Sequence, residues 1–133
     1  MDGFLNINKA AGWTSHDVVA RVRSLVKTPK VGHAGTLDPQ ATGVLPICLG
    51  KATKLAEFLL HTDKKYRVVM KLGVATDTQD ADGQVLKRAE TSALDLESVE
   101  KVLKAFVGRI QQVPPMYSAI KIKGQPLYKM ARR

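Results

Sequence analysis

Residues 31–43 carry the side chains in this sequence that are best suited to chemistry. The loop holds one carboxylate, one imidazole and three glycines: Asp38, His33, Gly32, Gly35 and Gly43. Glycine adopts backbone angles that a Cβ disfavours, and Pro39 keeps Asp38 out of the helical region. The pattern predicts a rigid loop that presents Asp38 and His33. An active-site loop and a glycine-rich connection whose aspartate caps a turn both fit, and the loop alone does not decide between them.

The charge balance indicates an acidic partner. Twenty-one Lys and Arg residues against 12 Asp and Glu residues give a formal charge of +9. Nucleic acid is the first partner class that such a charge suggests, and an anionic membrane the second. A basic but unspecialised surface stays open as a third reading. With 133 residues, of which 44% are hydrophobic, the chain fits one globular domain with a core.

Several site classes find no support in the sequence. The single cysteine, Cys48, lies in an apolar run and is interpreted as a core residue, so no internal disulfide is expected. No Cys/His cluster has metal-ligand spacing, so we expect no metal. A reducing, cytoplasmic setting follows as an expectation. No signal peptide is visible, and no apolar run reaches the roughly 20 residues of a membrane span.

Two other stretches resemble ligand-binding loops but do not match the motifs of those loops. Residues 43–51 resemble a phosphate loop, but six residues separate the two glycines and Ala52 follows the lysine. Residues 76–83 are acidic like a calcium loop, but they lack an acid at the first ligand position. A hairpin turn at Asp82 and Gly83 fits the second stretch better.

Hydrophobic spacing predicts the elements that must position the loop. A strand is expected at 4–8, then a helix with its N-cap at Thr14–Ser15 and apolar residues at 18, 19, 22, 25 and 26. A buried strand at 44–49 and a helix at 50–60 follow, with Leu55, Phe58 and Leu59 turned inward. Later elements are a strand at 66–72, a helix at 94–106, strands at 109–113 and 116–122, and a last helix from 126. The predicted fold class is α+β: a mixed, largely antiparallel sheet flanked by helices.

Five motifs in this order resemble one known family. They are residues 8–15 (NKAAGWTS), 32–43 (GHAGTLDPQATG), 65–67 (KYR), 72–80 (LGVATDTQD) and 114–119 (PPMYSA). Together they are similar to the N-terminal catalytic part of the TruB family, the bacterial tRNA pseudouridine-55 synthases. The resemblance covers essentially the whole chain, and the GHAGTLDPxATG string is highly specific.

The resemblance implies a reaction for Asp38. The family breaks the glycosidic bond of a T-loop uridine, turns the bound uracil and rejoins it to the ribose through carbon. Asp38 would be the catalytic carboxylate, acting as a nucleophile on the ribose or on the base. The reaction needs no cofactor and no metal. The target uridine must leave its stack before it can react.

The resemblance also implies roles in RNA binding. The histidine that matches His33 occupies the space that the flipped base leaves, and the tyrosine that matches Tyr66 stacks against that base. Lys9 and Lys54 match positions near the RNA or its phosphates. Asp80 matches an acidic residue that helps to hold the family's catalytic arginine. The expected partner is the T-stem and loop of tRNA, with no protein partner required and a monomeric state.

Two departures from the family pattern affect these expectations. Ala10 follows Lys9, where the family usually has proline. The family's arginine that pairs with the catalytic aspartate falls beyond residue 133, with the rest of the catalytic fold and the C-terminal RNA-binding domain. We therefore expect residues 1–133 to be the N-terminal part of the catalytic domain, inactive in isolation.

Two alternatives stay open from the sequence. A non-catalytic RNA-binding module or RNA chaperone could use the same pocket, and the charge of +9 would suit it equally well. A relative that modifies ribosomal RNA in a small nucleolar ribonucleoprotein is the other alternative. The absence of a long basic N-terminal extension favours the stand-alone bacterial type.

Overall fold

Every strand pair in the computed structural model is antiparallel, over the residues that the structure describes (1–114, 121–122 and 124–126). These residues form strands and α-helices in a mixed order along the chain. The chain divides into two units, Met1–Tyr66 and Arg67–Arg133. The predicted α+β class with antiparallel pairing is therefore confirmed.

A three-stranded sheet forms the centre of the first unit. Strand β1 (Gly3–Lys9), strand β2 (Val31–His33) and strand β3 (Gly43–Leu49) are arranged in the order β1-β3-β2, so β3 is central. Helix α1 (Ser15–Val26) covers one face of this sheet. The core between them consists of buried aliphatic side chains: Val18, Val19, Val22, Val31, Leu45, Ile47 and Leu49. Burial of these side chains stabilises the unit that carries the Asp38 loop.

Helix α1 begins at the predicted N-cap, where Thr14 forms a capping box with Asp17. The Thr14 hydroxyl accepts a hydrogen bond of 3.1 Å from the amide of Asp17, and the Asp17 carboxylate accepts one of 2.9 Å from the amide of Thr14. The helix ends where Lys27 turns left-handed, at φ +49°. Leu25 belongs to the apolar set that predicts the helix, but it is 65% exposed because it lies outside the stripe formed by the three buried valines.

Pro46 lies in the central strand, which has to compensate for its missing amide. Strand β2 pairs with β3 only as far as His33 and Ile47, so Pro46 falls just past the end of that ladder. The carbonyl oxygen of Pro46 still accepts a hydrogen bond of 2.9 Å from the amide of Ala34. The short β2 strand thus allows a proline in a buried strand.

The segment after β3 is less regular than the predicted helix at 50–60. It consists of a 3₁₀ helix (Gly50–Leu55) and one further helical turn, α2 (Ala56–Leu60). Leu59 packs against the small buried cluster around Cys48, as expected. Leu55 and Phe58 are exposed, Phe58 by 72%, which corrects the prediction that they point inward. A 3₁₀ turn shifts the helical phase, so these two side chains leave the buried face.

The second unit contains two short hairpins and a helix. Strands β4 (Val74–Thr76) and β5 (Val85–Arg88) pair around the predicted turn at Asp82 and Gly83. Helix α3 (Leu96–Lys104) begins at Asp95, whose carboxylate accepts a hydrogen bond of 2.8 Å from the amide of Ser98. Strands β6 (Lys121–Ile122) and β7 (Gln125–Pro126) form the second hairpin. The helix is two residues shorter at each end than the predicted 94–106.

Two predicted strands are absent from the described residues. Residues 66–72 and 109–113 have no regular secondary structure, and no strand among the described residues pairs with either. Alternation alone does not make a strand, because the backbone groups also need a partner. The strand predicted at 116–122 is described only at 121–122, which lie in β6. The last helix was expected from 126, but Pro126 belongs to strand β7, and the rest of that helix lies outside the described residues. Over the same described ranges, no helix is long and apolar enough to cross a membrane.

Candidate active site

Asp38 is the first residue of a tight turn that presents its side chain to solvent. The amide of Ala41 donates a hydrogen bond of 3.0 Å to the carbonyl oxygen of Asp38. Pro39 is then the second residue of the turn, where its fixed φ is favourable. The Asp38 side chain is exposed. A hydrogen-bonded turn thus lies where the glycine and proline pattern predicts a rigid loop.

Two of the three glycines in the loop adopt backbone angles that favour glycine. Gly35 has φ +141° and Gly43 has φ +117°, both in the region that L-residues rarely enter. Gly32 has no positive φ and lies inside strand β2, so the prediction is wrong for this residue. Strand β2 and strand β3 thus hold the two ends of the loop, and Gly35 and Gly43 turn the chain at those ends.

Ser15 fixes the backbone on the N-terminal side of Asp38. Its hydroxyl accepts a hydrogen bond of 3.0 Å from the amide of Leu37 and donates one of 3.2 Å to the carbonyl oxygen of the same residue. Ser15 is only 2% exposed. Because a buried hydroxyl needs partners, this reciprocal pair ties the first residue of α1 to the residue before Asp38.

Lys9 fixes the backbone on the C-terminal side of Asp38. Its ammonium group donates to the carbonyl oxygens of Ala10 at 3.0 Å, Trp13 at 2.7 Å and Pro39 at 3.0 Å. These bonds use all three donors of the ammonium group. Gly12 adds a backbone hydrogen bond of 2.9 Å to the same Pro39 carbonyl. The segment between β1 and α1 is thereby joined to the turn that carries Asp38.

This position gives Lys9 a structural role that the sequence did not predict. The side chain is 1% exposed, so its ammonium group does not face solvent and donates hydrogen bonds to three backbone carbonyls of the first unit. The expected location of Lys9 near RNA stays a prediction. One sequence signal for the burial exists, since Lys9 shares its face of β1 with Ile7, which packs against the core.

His33 lies at the last position of β2, at the start of the Asp38 loop, and is half-buried. Its Nδ1 atom is buried and has no hydrogen-bond partner among the described residues. The imidazole ring of His16 packs against the ring of His33, with ring centroids 5.3 Å apart and an angle of 74° between the planes. The structure thus places His33 at the end of the strand that leads into the Asp38 loop, with His16 packed against His33.

The other predicted site residues of the first unit lie away from regular strands. Lys54 is exposed in the 3₁₀ helix. Tyr66 is 65% exposed at the end of the unit, in an irregular segment. Neither side chain makes a hydrogen bond with the Asp38 loop within the described part of the chain. Their proposed contacts with RNA stay predictions.

Asp80 belongs to the second unit, in the turn between β4 and β5. Its carboxylate accepts hydrogen bonds from the hydroxyl of Thr78 at 2.6 Å and from the amide of Asp82 at 2.9 Å. The Thr78 hydroxyl first, and then the Asp82 amide, lower the pKa of Asp80 below its usual value. Asp80 therefore orders its own turn, and its predicted role toward an arginine is untested.

The arrangement around Asp38 suits nucleophilic chemistry. Over residues 1–114, 121–122 and 124–126, no group donates a hydrogen bond to the Asp38 carboxylate, while the backbone on both sides of it is held. An accessible carboxylate on a fixed backbone can approach an electrophilic carbon in a defined direction. Within the same residues, no group of three or more His, Cys, Asp or Glu side chains could hold a metal ion.

The chain resembles curated relatives along its full length. One is the tRNA pseudouridine synthase B of Geotalea uraniireducens (strain Rf4), with 56% identity over 100% of this chain and 43% of the relative. Another is the enzyme of the same name from Alkaliphilus oremlandii (strain OhILAs), with 55% identity over 100% of this chain and 44% of the relative. The chain thus spans less than half the length of these relatives.

The chain also matches a solved structure and the model of a protein family. The structure titled "Crystal Structure of a Cbf5-Nop10-Gar1 Complex" superposes with a TM-score of 0.60 at 29% identity, over 90% of this chain and 31% of that one. Residues 23–133 match the family described as "TruB family pseudouridylate synthase (N terminal domain)". The chain therefore belongs to the TruB family of pseudouridylate synthases.

Proposed function

We propose that this chain is the N-terminal catalytic part of a tRNA pseudouridine synthase that acts on the T-loop uridine. The observation that carries the proposal is the exposed Asp38 carboxylate on a backbone held by Ser15, Lys9 and Gly12. The curated relatives are named tRNA pseudouridine synthase B, which supports this substrate class. The formal charge of +9 favours association with RNA phosphates.

The proposed reaction is an isomerisation in which Asp38 acts as the nucleophile. The bond between N1 of uracil and C1′ of ribose breaks, and a bond between C5 and C1′ forms. C5 loses a proton and N1 gains one, so the mass and the oxidation state of the nucleoside stay the same. Between these two steps, the carboxylate can form a covalent intermediate with the ribose or with the base. The chemistry requires neither a metal nor a cofactor.

The surrounding side chains would receive the flipped nucleotide. His33 would fill the gap in the RNA loop, and Tyr66 would stack against the displaced uracil, because aromatic faces replace lost base stacking. Lys54 would contribute a phosphate contact. Asp80 would help to hold an arginine supplied by a later part of the protein. That arginine would pair with Asp38, so we propose that residues 1–133 alone are inactive.

The test uses the complete gene product that contains this chain and a T-arm RNA labelled with tritium at C5 of uridine. Asp38→Asn should reduce tritium release by at least about 10³-fold. It should change the RNA dissociation constant by less than about twofold, because the substitution is isosteric and removes no contact area. Asp63→Asn, at another exposed aspartate of the first unit, is the matched control and should retain activity.

The outcomes separate the proposal from its alternatives. Turnover by Asp38→Asn at the wild-type rate would show that another group performs the chemistry. RNA binding by the wild type without any pseudouridine, as detected by chemical labelling, would favour an RNA-binding module or chaperone. Robust turnover by the isolated residues 1–133 would contradict the proposed need for a later arginine.

A further inference from the structure

Two histidines from different elements meet next to the Asp38 loop. His16 is the second residue of α1, and His33 is the last residue of β2. Their ring centroids are 5.3 Å apart and their planes are inclined by 74°. This is the edge-to-face arrangement that aromatic pairs prefer, with the edge of one ring against the face of the other.

The backbone of both histidines is held, whereas the Nδ1 atom of His33 has no hydrogen-bond partner in the part of the chain that the structure describes. His33 pairs with the fully buried Ile47 in the sheet. His16 lies between Ser15, which is hydrogen-bonded to Leu37, and Asp17, which is hydrogen-bonded to the N-cap residue Thr14. A functional imidazole is commonly oriented by a hydrogen bond at its second nitrogen. The Nδ1 atom of His33 is buried and makes no such bond within the described residues.

We propose that His16 is a positioning residue, which holds the His33 ring by edge-to-face packing in the orientation that enters the RNA loop. This inference rests on the proposed function, in which His33 replaces the flipped uridine. The Nδ1 atom makes no hydrogen bond within the described residues, and the edge-to-face contact with His16 is one that limits rotation of the imidazole about its side-chain bonds. A fixed His33 ring loses less conformational entropy when RNA binds, so His16 raises the affinity without touching the RNA itself.

Packing of the His16 ring against His33 and a direct contact between His16 and RNA predict different effects of substitution. If the ring of His16 acts by packing, phenylalanine should replace it, because phenylalanine keeps an aromatic edge and face. Glutamine should not replace it, because glutamine keeps a hydrogen-bonding end but has no ring. A direct polar contact with RNA reverses this order. Both substitutions are made at an exposed position, which limits their effect on folding.

The first measurement is the dissociation constant of a T-arm RNA hairpin for the complete protein. His16→Ala and His16→Gln should weaken binding about threefold to tenfold, the range expected for loss of one aromatic pair, and His16→Phe should bind like the wild type. The matched control is His61→Ala, which removes the third histidine of the chain, an exposed residue after α2. His61→Ala should leave the positioning of His33 unchanged, so its dissociation constant for the hairpin should be that of the wild type.

The second measurement follows His33 itself and needs no RNA. The ring resonances of His33, assigned by their loss in His33→Ala, should move in His16→Ala because the ring current of the neighbour disappears. They should not move in His61→Ala. Unchanged His33 resonances in His16→Ala would overturn the proposal, because the rings would not be in contact in solution.

Three binding results would also overturn it. The first is wild-type affinity in all three His16 variants, and the second is rescue by glutamine but not by phenylalanine. In both cases the wild type still binds RNA, so the proposed function survives. The third is a wild type that fails to bind the T-arm RNA, which overturns the proposed function and the role of His16 together.

Discussion

The ammonium group of Lys9 donates a hydrogen bond of 3.0 Å to the carbonyl oxygen of Pro39, which lies 30 residues later and directly follows Asp38. Two more carbonyl oxygens, those of Ala10 and Trp13, accept its remaining donors. A buried ammonium group is costly unless its donors are satisfied, and here they all are. The position of the Asp38 turn therefore depends on a cation that faces the interior.

Removal of the Lys9 ammonium group should destabilise the protein. In Lys9→Met the buried side chain keeps most of its length, but the carbonyls of Ala10 and Trp13 lose the ammonium group as their donor. We expect the free energy of unfolding to fall by about 2–3 kcal/mol, as measured by urea denaturation. Lys54→Met, at an exposed position, should change it by less than about 0.5 kcal/mol. Equal effects in the two variants would contradict the structural role of Lys9.

Removal of the Ser15 hydroxyl should lower the catalytic rate more than it affects substrate binding. Ser15→Ala breaks both hydrogen bonds to Leu37 and releases the backbone before Asp38. Misplacement of a nucleophile raises the barrier of the chemical step, so we expect kcat to fall about tenfold or more with KM nearly unchanged. Ser24→Ala, at an exposed position of the same helix, is the matched control. A wild-type kcat in Ser15→Ala would show that the hydroxyl does not position Asp38.

Local sequence patterns predicted the elements that depend on neighbouring residues. The N-cap at Thr14–Ser15 predicted the start of α1, and the apolar run at 44–49 predicted β3. The hairpin at Asp82 and Gly83 is confirmed for the same reason, since its turn chemistry is contained in a few residues. Residues 66–72 were predicted wrongly, because a strand requires a partner that the pattern does not supply.

The candidate site shows the same difference between local sequence patterns, which were predicted, and long-range contacts, which were not. Motifs in the sequence placed Asp38 and His33 on one loop; the structure has Asp38 there and His33 at the end of the strand that leads into it. The groups that hold the loop were missed, because the bonds of Lys9 and Ser15 to residues 30 and 22 positions away depend on sheet register and helix packing. The contact between His16 and His33 is of this kind too. Period-two alternation along β1 would have placed Lys9 on the core face.

Substitution of Lys54 should weaken RNA binding through charge alone. Lys54 is exposed in the 3₁₀ helix, and an exposed lysine that meets a phosphate releases about one counterion. In Lys54→Met we expect weaker binding of T-arm RNA, and the slope of log Kd against log salt concentration should decrease by about one. Lys51→Met, an exposed lysine of the same 3₁₀ helix, should have a smaller effect. Identical losses in both variants would show that only net charge matters.

The capping box of α1 should make stability depend on pH. The hydrogen bond from the Thr14 hydroxyl, followed by that from the Thr14 amide, lowers the pKa of Asp17 below its ordinary value of 3.8. A carboxyl group whose pKa is lower in the folded state contributes stability above its unfolded pKa, and this contribution is lost as the pH falls through the folded pKa. Asp17→Asn should therefore lower Tm at about pH 6, and the difference from wild type should shrink toward about pH 2.

Thermal unfolding of the two proteins across this pH range measures the effect. Other carboxyl groups with lowered pKa values, such as Asp80 and Asp95, are present in both proteins and cancel in the difference. Asp63→Asn controls for the loss of one negative charge at an exposed position. A Tm difference between wild type and Asp17→Asn that stays constant from about pH 6 to about pH 2 would mean that the ionised carboxylate does not stabilise the helix. In that case the start of α1, and with it the position of Ser15 under the Asp38 loop, would depend on the Thr14 hydroxyl alone.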